Sequence, residues 1–417
     1  MSADAVVVVG AGHAAGEMSV ALRSHGFTGE IILVGEEAYL PYQRPALSKG
    51  FLTGEISHEQ LYVRSAASFA KADIRLIPNV RVLSIDRARK CISASDGRII
   101  FYSKLVLATG GRPRRLALTD VRVDAAPNIH YLRTIDDVTS MQNSFKKGMR
   151  LVIVGGGYIG LEVAAAARQR ELNVTLLESL PRVLARVTAP QVSEFYAALH
   201  RSAGVDVRVN AELTGFVFDP TGRVVGVETR DGGGVAADFV LVGIGLLPNT
   251  ELAESAGLKI DNGIAVDEFG QTSDPDILAI GDCTSHPNRH AGRRVRLESV
   301  ASSVEQARTA AAWLSGKSLP NDSVPWFWSD QYKLKLQIVG LNQGYDQVVL
   351  RGSPDSQSFL AFYLKDGTLL AVDAVNRIRD FMTCKKLVAA RIRVDPSQLA
   401  DESIPLTTLV AGKPQPV

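Results

Sequence analysis

At 417 residues, with 46% hydrophobic and 22% charged side chains, the chain has the composition of an ordinary globular protein too long for one core, so two or three domains are expected. A formal net charge of +2 lacks the bias of a nucleic-acid-binding protein, and no apolar run approaches the roughly 20 residues of a membrane span. The three cysteines, Cys91, Cys283 and Cys384, are too few and scattered for a disulfide framework or an iron-sulfur ligand set, and the N-terminus has no basic n-region; a cytoplasmic protein without a metal site is expected.

Residues 6–9 are a β-branched run entering Gly10-x-Gly12-x-x-Ala15, followed by a helical pattern to about Ser24 and a second apolar run, residues 30–34, just before Glu36. This is a dinucleotide fingerprint: the glycines tighten the turn and bring backbone amides to a pyrophosphate at the helix N-terminus. His13 reads as a loop residue beside phosphate with no proton-transfer role. Next, Pro41 and Pro45 fix the backbone and deliver Arg44 and Lys49 beside this first unit. On local sequence Lys49 reads equally as a cation beside a flavin ring or as a solvated loop charge. Residues 74–77, 80–86, 91–94 and 99–101 suggest short strands with Asp96-Gly97 as a hairpin turn. Residues 104–108 form a buried strand ending in Thr109-Gly110-Gly111, residues 112–127 read as a domain crossing, and a helix is expected from Asp136 toward Lys147.

The pattern then repeats in mid-chain. Residues 151–178, LVIVGGGYIGLEVAAAARQRELNVTLLE, run from a strand through Gly155-x-Gly157-x-x-Gly160 and a helix to a second strand closing on Glu178. A helix over 190–203, a strand over 205–209 and hairpins within 214–237 follow, and residues 239–243 lead through Gly245 to Pro248-Asn249 as a return to the first domain. Residues 277–281 end on Asp282, a helix spans 305–315, and from residue 325 the tail changes to aromatic-rich strands and a closing helix, with Trp326 read as core. Two fingerprints so far apart rarely serve one ligand. They read as one site for a tightly held flavin and one for a passing nicotinamide, face to face for hydride transfer.

The motif order GAGHAA, LVLATGGRP, LVIVGGGYIGLE, GIGLLPN and TSDPDILAIGDC resembles the two-dinucleotide-domain flavoproteins related to glutathione reductase. Within that group PALSKG, YIGLEVAA, RVTAP, PWFWSDQY and AVDAVN resemble the FAD-dependent ferredoxin reductases, over essentially the whole chain. The resemblance implies an α/β fold of two Rossmann-like domains, for FAD (residues 1–113 and 242–320) and NAD (114–241), plus a C-terminal α+β domain (321–417). It implies that Gly10, Gly12, His13, Ala14, Ala15, Glu36, Arg44, Lys49, Val82, Ala108, Thr109, Gly110, Arg133, Gly281, Asp282, Val300 and Trp328 surround FAD. Of these, Gly10, Gly12, Ala14 and Glu36 would hold the adenosine half, Arg133 the pyrophosphate and Asp282 the ribityl chain, with Val300 and Trp328 near the isoalloxazine. Gly155, Gly157, Tyr158, Ile159, Gly160, Glu178, Arg186 and Gly245 would bind NAD. Lys49 and Glu162 are the implied catalytic pair beside flavin N5.

Glu178 suits the ribose 2'-hydroxyl of NADH and repels the 2'-phosphate of NADPH, so NADH is expected, with Arg182 and Arg186 as the residues that weaken this choice. The acceptor is read from absences. Residues 41–50 hold no cysteine, and none of the seven histidines lies in the C-terminal domain, which excludes the usual thiol-disulfide route; the missing cysteine also argues against the single-cysteine peroxidases and oxidases. A [2Fe-2S] ferredoxin serving a cytochrome P450 or another oxygenase is the expected partner. Arg64, Arg308 and Lys385 match its dock by resemblance, and Arg289, Arg293, Arg294 and Arg296 are further candidates. A rubredoxin reductase and a redox-gated interaction module similar to apoptosis-inducing factor are the alternatives; a monomer is expected, with no nucleic-acid or membrane partner.

Overall fold

The computed structural model describes residues 4–410. They form two compact units, one holding the chain up to Arg44 with His58–Arg112 and Leu247–Trp326, the other Pro45–Ser57, Pro113–Leu246 and the chain from Phe327.

In the first unit Ala5–Val9 is buried along its whole length, as a β-branched run must be in a parallel sheet covered on both faces. It is the central strand of five parallel strands in the order Ile277–Ala279, Lys104–Leu107, Ala5–Val9, Glu30–Val34, Ile74–Ile77. Side chains alternate between the two faces. Val6 and Val8 pack with Met18 and Leu22 of helix His13–Ser24 and with Ala307, Ala310 and Ala311 of helix Val300–Leu314. Val7 and Val9 pack on the other side with Ile92 and Ala94 of the antiparallel meander Val82–Asp86, Cys91–Ala94, Ile99–Phe101. Helix Val300–Leu314 starts earlier than residue 305 because the Ser299 side chain accepts from Ser302 N, a cap that outweighs the weak helix propensity of Val300, Ser302 and Ser303. The arginine-rich stretch after Asp282 is a hairpin, Thr284–Asn288 with Arg293–Val295. Within it Arg294 donates to Val266 O at 2.7 Å, while Arg289 and Arg296 pair with Asp322 and Glu298.

The second unit repeats the parallel plan in the order Val205–Val209, Asn173–Glu178, Arg150–Val154, Phe239–Val242, Ile129–Tyr131. Val152, Val154, Val240 and Val242 close one face against Phe216 and Val227 of the meander Leu213–Phe218, Val224–Thr229, Gly234–Ala236. The tail forms a separate five-stranded sheet, Trp326–Gln331, Leu334–Gly340, Thr368–Val375, Phe359–Lys365, Gln347–Arg351, covered by helix Ile378–Ala389. Among the described residues no helix is long and apolar enough to cross a membrane.

Candidate active site

Each unit opens its parallel sheet with the same turn. Gly10 has φ +102° and a Cβ there would lie 2.2 Å from Ala108 O; Gly155 has φ +112° and its Cβ would lie 2.4 Å from Gly243 O. Only glycine fits either place. The helices that follow have Gly12 and Gly157 as N-caps, with no side-chain cap and no acidic residue in the first turn, and the space a Cβ would fill at both glycines is open. Uncapped N–H groups at the positive end of a helix beside open space suit a phosphate. In the first loop His13 Nδ1 is buried without a hydrogen-bond partner. Burial lowers the pKa of His13, with Glu17 and Asp282 opposing, so a neutral imidazole faces the loop at neutral pH. These features fit a dinucleotide in each unit.

In the first unit Ala14 and Ala15 are buried in the first helical turn, and Glu36 is exposed with Arg81 at 3.3 Å. Arg44 is gripped by Glu37 at 2.6 Å and the Tyr42 hydroxyl at 2.7 Å, which makes Glu37 a site-shaping residue that sequence reading passed over for its neighbour. Thr109 Oγ1 donates to Asn249 O at 2.7 Å, Asn249 Nδ2 to Thr109 O at 2.9 Å and Asn249 N to Gly110 O at 3.0 Å. Asn249 thereby clamps the turn after Ala108. Asp282 stands in the 3-10 turn Gly281–Cys283, anchored by the buried Gln306, whose Oε1 accepts from Gly281 N at 2.9 Å and Thr284 Oγ1 at 2.7 Å. Val300 is half-buried at the start of its helix and Val82 at the start of its strand.

In the second unit Glu178 is fixed by backbone donors: Gly156 N to Oε2 at 2.7 Å and Leu180 N to Oε1 at 2.9 Å. Arg182 is committed to the Thr188 and Ala185 carbonyls at 2.8 and 2.9 Å, whereas Arg186 is exposed. The Tyr158 ring lies 4.8 Å from that of Phe327, Gly160 is buried in the helix, and Ile159 is 41% exposed, an apolar surface next to the open loop. Gly245 has open space at its α-carbon, Arg133 N donates to Asp137 Oδ2 at 2.9 Å beside the capping box that Asp137 forms with Thr134, and Trp328 is half-buried in its strand.

Arg44 is held by Glu37, and Lys49 by Glu162. Lys49 Nζ lies 2.6 Å from Glu162 Oε2 and donates to Pro45 O at 3.1 Å. The Glu162 side chain is 3% exposed and accepts also from Ser48 Oγ at 2.5 Å and Ser329 Oγ at 2.6 Å. A buried carboxylate is costly unless paired and hydrogen-bonded, and both conditions are met. Lys49 keeps 22% of its side chain exposed, so this cation is partly open to a ligand. The serines were not singled out in the sequence. Cys91, Cys283 and Cys384 are free and buried, and among the described residues no His/Cys/Asp/Glu group could hold a metal.

Comparison with known proteins agrees with this geometry. Residues 4–311 match the pyridine nucleotide-disulphide oxidoreductase family and residues 326–410 the reductase C-terminal family. The chain is 46% identical to putidaredoxin reductase of Pseudomonas putida over 98% of this chain and 97% of that protein. It is 42% identical to the ferredoxin–NAD(+) reductase component of the anthranilate 1,2-dioxygenase system of Burkholderia cepacia, over 98% and 100%. The crystal structure of the covalent putidaredoxin reductase–putidaredoxin complex superposes with a TM-score of 0.95 at 46% identity, covering 99% of both chains. With two open dinucleotide loops on parallel sheets and matches spanning almost the whole chain, the protein belongs to the pyridine nucleotide-disulphide oxidoreductases, as a flavin-dependent member that uses FAD and NAD(H).

Proposed function

We propose that the chain is an NADH-dependent ferredoxin reductase that passes electrons to a [2Fe-2S] ferredoxin serving a cytochrome P450 or another oxygenase. The observation that carries this reading is the Lys49–Glu162 ion pair, formed in a stretch without any cysteine, in a chain whose cysteines are all buried singly. No thiol relay is available, so electrons must leave to an external carrier. FAD, when bound, accepts a hydride from NADH and releases the pair as two single electrons, with one proton returned to solvent.

The chain's own residues supply the rest. The open loop at Gly10 and Gly12 would receive the FAD pyrophosphate, Asp282 on the turn that Gln306 anchors would hold the ribityl chain, and the partly exposed Lys49 ammonium would supply positive charge to a flavin on reduction. The loop from Gly155 to Gly160 receives NADH. Glu178, already fixed by two backbone donors, offers its remaining lone pairs to the adenosine ribose and repels a 2'-phosphate, while Arg182 is tied to carbonyls. Arg64, Arg308 and Lys385 steer the acidic ferredoxin, and one copy of the chain suffices.

The test is NADH-driven reduction of purified [2Fe-2S] ferredoxins and rubredoxins, with a cytochrome reporting transfer. Selective reduction of a [2Fe-2S] ferredoxin is expected. Selectivity for rubredoxin, or equal rates with simple dyes and every iron-sulfur protein, would overturn the assignment.

A further inference from the structure

Glu162 is the end point of a polar chain that continues through the second unit. Ser329 Oγ lies 2.6 Å from Glu162 Oε1, Gln331 Nε2 lies 3.2 Å from Ser329 Oγ, His200 Nε2 lies 2.9 Å from Gln331 Oε1, and Tyr332 Oη lies 3.2 Å from His200 Nδ1. Ser329, Gln331 and His200 are completely buried, so water cannot substitute for a missing partner.

The hydrogen positions follow by elimination from the carboxylate outward. An ionised Glu162 only accepts, so the Ser329 hydroxyl must donate to it. With its hydrogen committed, Ser329 Oγ can only accept from Gln331, which turns the amide nitrogen toward Ser329 and the amide oxygen toward His200. That oxygen needs a donor, so His200 carries hydrogen on Nε2. A neutral ring then leaves Nδ1 to accept from the Tyr332 hydroxyl. Flipping the amide reverses every link and leaves two oxygens facing each other at 2.6 Å with no hydrogen between Ser329 and Glu162.

We propose that His200, as the neutral Nε2–H tautomer, is a positioning residue for the Lys49–Glu162 pair: it is the central link of a four-donor chain, Tyr332 to His200 to Gln331 to Ser329, that ends on Glu162. Aligned donors polarise one another, and the last hydroxyl holds the carboxylate where Lys49 meets it. Burial pushes His200 down to about 4, with the Gln331 contact opposing, and burial pushes Tyr332 up to about 12, so at neutral pH the ring is uncharged and the phenol keeps its hydrogen. Tyr332 is held at φ +56°, a left-handed conformation uncommon for a bulky residue, which the anchored side chain accompanies.

The kinetic consequence rests on the proposed role of Lys49 and Glu162; the tautomer does not. The experiment therefore has two arms. In the holoenzyme, two-bond 15N correlation spectra of labelled histidine, with His200 assigned by its loss in His200→Gln, should show a protonated Nε2 and a bare Nδ1. A protonated Nδ1 overturns the donor chain. In stopped flow, His200→Phe and Ser329→Ala should each slow flavin reduction by NADH about tenfold, the worth of one hydrogen bond to a charge. The double variant should be no slower than either, both should shift the flavin potential in one direction, and His200→Gln, whose amide can still donate, should recover most of the rate. Multiplying losses, or a His200→Gln as slow as His200→Phe, overturns the positioning role. An unchanged rate in Lys49→Met instead overturns the reading of the ion pair and the kinetic arm with it, leaving the spectra to decide the tautomer.

Discussion

At the scale of single residues, the buried Glu162 ties stability to the proposed chemistry. Removing Lys49 alone leaves a carboxylate with two hydroxyl donors and no countercharge, which costs about 3–5 kcal/mol when a buried pair is broken. Lys49→Met should therefore be both less stable and slower in flavin reduction. Lys49→Met with Glu162→Gln removes both charges, so its melting temperature should return toward the parent while flavin reduction stays roughly ten- to a hundredfold slow. Recovery of the rate along with stability would remove Lys49 from the chemistry. Glu178 makes a second case, because it holds the loop and is also the residue proposed to meet the ribose. Glu178→Ala frees Gly156 N and Leu180 N, so kcat/KM for NADH should fall more than that for NADPH rises, with their ratio dropping about tenfold or more. The pairing of Lys49 with Glu162 was legible only through the resemblance of the motifs that carry them, since the local sequence left Lys49 open between a flavin cation and a solvated charge. Ser48, Ser329 and His200 were not, because what gives them a role is a partner more than a hundred residues away in the chain, and no local pattern records such a pairing.

Among the elements, the two strand-turn-helix units were readable because a β-branched run, a glycine turn and a helix follow one another without interruption. The start of helix Val300–Leu314 was not, since its first turn is made of poor helix formers and is stabilised by the Ser299 cap and by alanines buried against another helix. That helix also carries Gln306, which has meaning only once folded. Its Oε1 satisfies two donors of the turn bearing Asp282, and its Nε2 donates to Ser302 Oγ at 3.0 Å. Gln306→Leu keeps the volume but strands Gly281 N in the core, at about 1–3 kcal/mol. The expected outcome is a lower melting temperature and faster FAD release on dilution, followed by the rise in free-flavin fluorescence. Unchanged release would mean that Asp282 is held by other contacts.

For the molecule as a whole, stability and partner choice respond to different charges. Burial pushes Asp373 up to about 7, with the Tyr363 hydrogen bond opposing, against an ordinary value of 3.8. Below the ordinary value folded and unfolded chains both hold the proton and the contribution to stability is fully present. As pH rises toward 7 the unfolded chain gives up its proton first, so stability is lost through that window, by about 4 kcal/mol as an upper bound. Asp373→Asn should therefore gain melting temperature relative to the parent between about pH 5 and about pH 8, and parallel curves would show that Asp373 titrates alike in both states. The charges proposed for the dock act on the surface instead. Arg308 is 66% exposed with Glu305 at 3.0 Å, and Arg64 is 46% exposed with Glu17 at 3.8 Å. Exposed pairs of this kind are worth under about 1 kcal/mol, so neither neighbour withdraws the arginine from an approaching anion. Steering by such charges speeds encounter and fades with salt, whereas electron transfer to a small neutral dye gains nothing from it. Arg64→Glu, Arg308→Glu and Lys385→Glu should each slow ferredoxin reduction about tenfold at low ionic strength and flatten its salt dependence, while NADH-driven reduction of a small neutral dye is unchanged. Equal loss with dye and ferredoxin would point to a folding defect, and unchanged salt dependence would move the dock elsewhere on the surface.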